Sequence, residues 1–438
     1  MNEKHTRRRF SRRDFLKLGG QGVVLGLMAG SARWLPRGVT NLLQPAASAR
    51  AAGTAPDLHF IGTDGWIYLP PTPAIPPFHP DDLAPPPFTT YIFGFRDVTG
   101  LTDAQIQAQE MKAQHSAPLF WVDQGTEFRL KLTNVGLAVR PDLFDTHTVH
   151  WHGFRNVIPF FDGEPMGSLS VPIGRSFEYV YRPHDPGTYM YHCHVEDVEH
   201  VHMGMTGLVF VRPVQNGNTA LYPSGKFAYN DGDGSTGYDR EFAMFLSEVW
   251  AEAHWDDSHI QLPDWTEYRP DFYLLNGRVY PDTLEPNGGG TDANGDLIPP
   301  AGRPELQYQP YSSLIQANEG ERVLLRFASL GYLKQSMTVA GLKMRVVGRD
   351  ATLLRGVDGT DISYETNTIS IAPGESYDVI LSAPPYQGPG PYDTYLLYNR
   401  RYNRLRNGAG TGYGGQMTEI RIYPAGTLPP QTVPHTYF

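Results

Sequence analysis

Eight side chains able to bind a soft or borderline metal fall in two short clusters. His147, His150 and His152 lie in His147-Thr148-Val149-His150-Trp151-His152-Gly153, and His192, Cys193, His194, His200 and Met205 follow later in the chain. On a strand, side chains alternate between faces. His150 and His152 therefore share a face, as do His192 and His194, and Cys193 points the other way. A cysteine so placed touches one metal centre while its neighbours hold a second, with only a few bonds between the two. That is what an electron relay requires. Two imidazoles, a thiolate and a weak thioether describe a blue-copper electron-transfer site, with His147, Cys193, His200 and axial Met205 as candidates. The all-imidazole positions His150, His152, His192 and His194 suit a copper cluster that handles dioxygen. A zinc site would more usually present paired cysteines or a closed four-ligand set, and the chain has one cysteine.

Short strands must position these residues. Strand-like segments recur at Glu127–Leu132, Phe177–Tyr181, Leu208–Val211, Val323–Phe327 and Thr418–Ile422, and no run of helical periodicity competes with them. Three segments repeat about 200 residues apart: 124–134 with 319–329, 171–181 with 371–381, and 204–213 with 415–424. One β-domain thus occurs twice. In the second copy Gln335, Thr338 and Ala340 stand where the first has His147, His150 and His152. Tyr398, Asn399 and Arg400 stand where it has His192, Cys193 and His194. The expected organisation is a metal-binding domain over 52–214, a polar linker over 215–239, a metal-free domain over 240–426 and a tail over 427–438.

The 438 residues, 40% hydrophobic and 19% charged, exclude wholesale disorder. The 46 glycines and 38 prolines suit strands joined by turns and long loops. Residues 1–51 resemble a twin-arginine export signal: Ser11-Arg12-Arg13-Asp14-Phe15-Leu16-Lys17, a weakly apolar stretch, then Ala46-Ala47-Ser48-Ala49. That stretch is too short for a membrane span, and the expected location is periplasmic or extracellular. The remaining chain holds 26 basic and 44 acidic residues, a formal charge of −18. Such a balance argues against a nucleic-acid partner.

The pair HTVHWHG and HCH…H…GM resembles the copper-binding signatures of the multicopper oxidase family, laccases and metallo-oxidases built from cupredoxin domains. The likeness extends over most of residues 55–426. It implies an all-β fold of two cupredoxin-like Greek-key β-sandwich or barrel domains. It also implies a type 1 blue copper held by His147, with a type 2 copper on His150 and a type 3 pair on His152, His192 and His194. Asp162 stands where the family has a carboxylate that assists proton delivery; Asp162-Gly163 equally fits a turn. The spacing from Cys193 to His200 is two residues longer than the family's commonest, which leaves His202 as a second choice. His200 is preferred because Met205 follows it at the family's usual interval. The family's cluster uses eight histidines from two domains. This chain offers four, and its second domain adds only His254, His259 and His435, none in a His-x-His pair.

The expected function is a copper-dependent oxidase that takes electrons singly from a phenolic or metal-ion donor and reduces dioxygen, with Cys193 as the wire. Because half the cluster ligands are missing, a homo-oligomer is expected. Glu196, Asp197 and Glu199 read as an acidic loop beside the blue site, either a solvated surface or a docking patch for an oxidisable cation. Two other readings compete. A copper nitrite reductase would place an aspartate at the position of His150 and would lack His194. A non-catalytic blue-copper electron carrier would leave the four cluster histidines unexplained.

Overall fold

The computed structural model describes residues 56–408 and 410–434. The export signal expected over 1–51, His435 and the end of the tail lie outside the described residues. Eight described strands precede residue 213: β1 (Leu58–Ile67), β2 (Thr90–Asp97), β3 (Phe120–Asp123), β4 (Phe128–Gly136), β5 (His150–His152), β6 (Ser176–Tyr181), β7 (Gly187–His192) and β8 (Thr206–Arg212). They form two four-stranded sheets, ordered β2-β1-β4-β6 and β3-β8-β7-β5. In β4, Phe128, Leu130 and Leu132 are buried while Arg129, Lys131 and Thr133 are half-buried, the alternation of a strand with one face on a core. Between the sheets, Phe60, Leu130, Leu132 and Tyr179 pack against Phe120, Trp151, Tyr191 and Val209. Each such side chain contributes about 1.5–3 kcal/mol by leaving water.

The second half repeats this frame. Its strands are β9 (Arg240–Val249), β10 (Phe272–Leu275), β11 (Ile315–Asn318), β12 (Arg322–Ser329), β13 (Gln335–Val339), β14 (Met344–Arg349), β15 (Thr352–Leu353), β16 (Tyr364–Thr366), β17 (Thr368–Ile371), β18 (Ser376–Ser382), β19 (Asp393–Asn399) and β20 (Met417–Tyr423). The sheets run β10-β9-β12-β18-β14-β15 and β11-β20-β19-β13-β17. Without the inserted β14–β17, the order matches the first half strand for strand, including the parallel pairs β1/β4 and β9/β12. Register agrees as well: His150 pairs with His192, and its counterpart Thr338 pairs with Tyr398. The segment 215–239 is packed, with Phe227, Ala228, Tyr229 and Tyr238 buried.

Short helices interrupt the β framework. Among the described residues there are three α-helices, α1 (Asp103–Gln107), α2 (Asp197–Met203) and α3 (Ala251–Ser258), besides five single-turn 3-10 helices. The stretch expected as an acidic loop is α2. Asp197 and Glu199 occupy its first turn, where the helix dipole favours anions. Gly204 ends it at φ +126°, where a Cβ would lie 2.7 Å from Phe93 O. None of the described helices is long and apolar enough to cross a membrane.

A buried ionic network joins the two halves. Arg326 Nε lies 2.9 Å from Glu241 and Arg326 Nη1 3.3 Å from Asp378. Thr188 Oγ1 and Tyr229 Oη each donate to Asp378 at 2.5 Å. Removing one member of a buried ion pair strands the other charge. Arg326→Ala is therefore expected to cost about 3–5 kcal/mol, read as a lower denaturation midpoint at unchanged slope; a shift within error of zero would show that the two carboxylates do not need this partner.

Candidate metal centre

Strand pairing builds the site from both clusters. Trp151 and Tyr191, opposite each other on β5 and β7, face the core and leave His150 and His192 side by side on the other face. One residue past the strand end, Cys193 turns inward, and its amide donates to Met205 O at 3.0 Å while Met205 N donates to His200 O at 2.9 Å. The segment from Cys193 through α2 to Met205 is thereby closed on itself. Cys193 Sγ lies 3.3 Å from His200 Nδ1 and 3.9 Å from His147 Nδ1. All three are fully buried, as is Met205. A Cβ on Gly62 would come within 2.7 Å of the His147 ring and 3.2 Å of Met205 Cε. The thioether and the imidazole thus flank one glycine that leaves them room.

Burial alone would raise the Cys193 thiol. The His200 and His147 imidazoles outweigh it and hold the thiol well below its ordinary value. Thr148 N also donates to Cys193 Sγ at 3.4 Å. Both the ligand types and a sulfur stabilised as thiolate fit copper.

His202 takes the opposite side of α2. Its Nε2 accepts from Trp250 N at 3.1 Å, and its ring packs among His254, Trp265, Tyr268 and Tyr332. Two residues along a helix turn the side chain by about 200°, so only His200 reaches Cys193. Tyr332 Oη donates to the carbonyls of Asp197 and Val198 at 3.0 and 2.5 Å, tying α2 to the second half.

The second cluster lies on the other side of β7. Metal-binding atoms of His150, His152 and His192 lie within 4.8 Å of one another. His194 stands beside them, its ring centroid 4.8 Å from that of His150 and 5.4 Å from that of His192. His192 Nδ1 donates to Cys193 O at 2.8 Å and His150 Nδ1 to Asp162 O at 2.9 Å, which leaves each Nε2 as a lone pair. Burial lowers His150 and His152 and pulls His192 down to about 3, so the imidazoles stay neutral and ready to ligate. Asp162 Oδ1 is 3.5 Å from His150 Nδ1, and burial, then Glu164, raises its carboxyl. The residue serves as a turn and also stands at the cluster. The cluster is half-open: His150, His152 and His194 are partly exposed.

Three contributors have no sequence signal. Asp145 Oδ2 lies 3.2 Å from His200 Nε2 across 55 positions of chain. Thr148 Oγ1 accepts from His194 N at 2.9 Å. Gly62 supplies the space described above. In the second half, the counterparts of His147, Cys193 and Met205 are Gln335, Asn399 and Gln416. Asn399 Nδ2 donates to Gln335 Oε1 and to Gln416 Oε1, each at 2.7 Å. Gln335 Nε2 donates to Glu248 at 3.0 Å, and Arg404 also bonds Gln335. Hydrogen bonds among amides occupy the place where the first half has His147, Cys193 and Met205.

Two models described as multicopper oxidase match, one over residues 101–216 and the other over 241–414, together more than half of the chain. The chain belongs to the multicopper oxidase family. Copper is the family's metal, and both ligand sets fit it. This multicopper oxidase is 25% identical to laccase-5 of Arabidopsis thaliana over 59% of its own length, and spans 37% of that relative. It thus covers well under two thirds of the curated relatives' length. Among solved structures, the blue copper oxidase of Nitrosomonas europaea aligns with TM-score 0.54 at 20% identity, covering 83% of this chain and 85% of that one. The copper nitrite reductase of the same organism aligns with TM-score 0.51 at 16% identity, covering 85% and 94%. Both share the cupredoxin-type fold.

In the second half, His254 donates from Nδ1 to Tyr91 O at 2.6 Å, and His259 Nε2 lies 3.0 Å from Asp82. Neither joins the two ligand sets. Replacing His254, His259 and His435 together by alanine is expected to leave copper per chain unchanged by elemental analysis. Loss of a whole copper would show that one of them is a ligand.

Proposed function

We propose that this chain is a copper-dependent oxidase that accepts one-electron equivalents at the Cys193 site and reduces dioxygen at the histidine cluster. The observation that carries the reading is the junction: Cys193 O accepts the His192 Nδ1 proton at 2.8 Å, so the ligand sets meet through adjacent residues and one hydrogen bond. Copper bound there would supply reversible one-electron chemistry. His147, Cys193, His200 and Met205 would hold the blue, type 1 ion, and His150, His152, His192 and His194 the cluster side, as type 2 and type 3 ligands. Asp162 would hold a proton beside His150. The balance is four one-electron oxidations with one dioxygen and four protons giving two waters. Donors are a phenol or a metal ion. Residues 1–51 direct export by the twin-arginine route to the periplasm or beyond, and residues 240–426 act as a copper-free partner domain.

Cys193→Ser should abolish the intense thiolate-to-copper absorption and stop turnover with every donor, because imidazole ligands alone give no such band. A variant that stays blue would disprove the assignment. Met205→Leu should keep the colour and raise the reduction potential, since it removes a weak donor that favours Cu(II); an unchanged potential would exclude an axial role.

The cluster side holds four histidines, and the second half offers none at the matching positions. We infer a homodimer in which two first halves face each other about a twofold axis and each supplies one set. The loop that carries Asp162 over His150 exposes Ile158, Phe160, Met166 and Leu169, between 47% and 93%, an apolar rim suited to burial against a second copy. About five coppers per dimer are expected, two of them blue, with oxidase activity falling faster than linearly on dilution while the blue colour per chain persists. One blue copper per chain without a cluster signature in EPR spectra would instead favour an electron carrier, and an active monomer in light scattering would rule the dimer out.

A further inference from the structure

The position that His194 takes in the first half is held in the second by Arg400, which opens the run Arg400-Arg401-Tyr402-Asn403-Arg404-Leu405-Arg406. Four residues of this run are arginine, and no Asp or Glu occurs between Asp393 and Glu419. In a chain whose formal charge after residue 51 is −18, that is a local reversal of sign. Backbone pairing keeps it together. Arg400 N donates to Ser336 O at 2.8 Å, and the buried Arg404 donates from Nη1 to Lys334 O at 2.6 Å. Arg404 N donates to Arg401 O at 2.8 Å and Gly414 N to Leu405 O at 2.9 Å, which draws Tyr413 against the run. Lys334, Arg400, Arg401 and Arg406 are exposed, and none is paired with a carboxylate among the described residues.

Aromatic rings stand open in the same place. Tyr402 is 84% exposed and Tyr413 78%, so neither covers the sheet beneath. Beside them a hollow of about 150 Å³ is lined by Asp271, Tyr273, Asn403 and Arg406, room for a single sugar ring. Arg404 lies over the Tyr273 ring, 5.0 Å from its centroid, and holds it in place. A sugar offers hydroxyls to a carboxylate and an amide, and an apolar face to a tyrosine. Arginine is the side chain that grips a carboxylate through two parallel hydrogen bonds. A phosphate polymer fits worse. Asp271 would repel it, and its dense charge would be opposed by the rest of the acidic chain.

We propose that this face of the second half binds an acidic polysaccharide built of uronic acid units. Lys334, Arg400, Arg401 and Arg406 take the carboxylates, Tyr402 and Tyr413 take ring faces, and the hollow beside Asn403 takes one sugar. Binding makes and breaks no covalent bond and is independent of the copper chemistry of the first half. It holds the chain on an anionic matrix that its overall charge would otherwise repel. The second half thus has a task of its own where the first has its histidine cluster.

The test titrates the copper-loaded protein into a fluorescently labelled oligogalacturonate and follows anisotropy. A dissociation constant below about 1 mM is expected at low salt, weakening several-fold between about 50 and about 200 mM salt. Arg400→Gln together with Arg401→Gln, and separately Tyr402→Ala, should each weaken binding by at least about tenfold with unchanged circular dichroism. All three side chains are exposed, so these changes leave the core intact. The methyl ester of the same oligosaccharide, which is neutral, should also bind at least about tenfold more weakly. Absence of binding up to about 1 mM, equal affinity in the variants or for the ester, or tighter binding of single-stranded DNA of the same length would overturn the proposal.

Discussion

The structure depends on one local rule applied at one place: successive residues of an extended chain face opposite ways. At the end of β7 that rule sends Tyr191 and Cys193 inward and His192 and His194 outward. Two ligand sets of different chemistry therefore stand on the two sides of a single strand. The neighbours serve this division. Trp151 mirrors it on β5, the Cys193–Met205 backbone bond folds α2 back over the sulfur, and Thr148 bonds both Cys193 and His194. Because the connection is covalent, neither site can shift without the other.

The same frame exists twice, and the second copy shows what such a pocket needs when no metal fills it. Gln335, Asn399 and Gln416 are fully buried amides that satisfy one another, with Glu248 and Arg404 closing the network. A buried polar set is tolerable only when nearly every donor and acceptor is paired. The first half has no such closure around His147, Cys193 and Met205; with His200 these offer two imidazoles, a thiol and a thioether, groups that pair poorly with one another and that suit copper. The second half still acts on the first, through Tyr332 on the α2 carbonyls, Trp250 on His202, and the Arg326 network between the sheets.

Much of this was legible from the amino-acid sequence. The five segments read as strands are strands, and the repeat of 124–134, 171–181 and 204–213 corresponds to β4, β6 and β8 returning as β12, β18 and β20. The grouping and facing of the candidate ligand residues were also readable, because they depend on residue type and on a period of two, both local properties. Thus His150 and His192 meet on one face and Cys193 lies on the other.

What only the tertiary structure decided involves geometry that no local pattern encodes. The acidic stretch after His194 contains too few residues to show helical periodicity, yet as the single helix α2 it separates His200 from His202 by the turn of two helical residues. Asp145 reaches His200 across 55 positions of chain, through the packing of loops and helices against the sheets. The substitutions in the second half were visible as lost histidines, but that Gln335, Asn399 and Gln416 bond one another follows from the fold bringing β13, β19 and the start of β20 to one point. Residue type and alternation are carried by neighbouring positions; convergence of distant segments is a property of the packed chain.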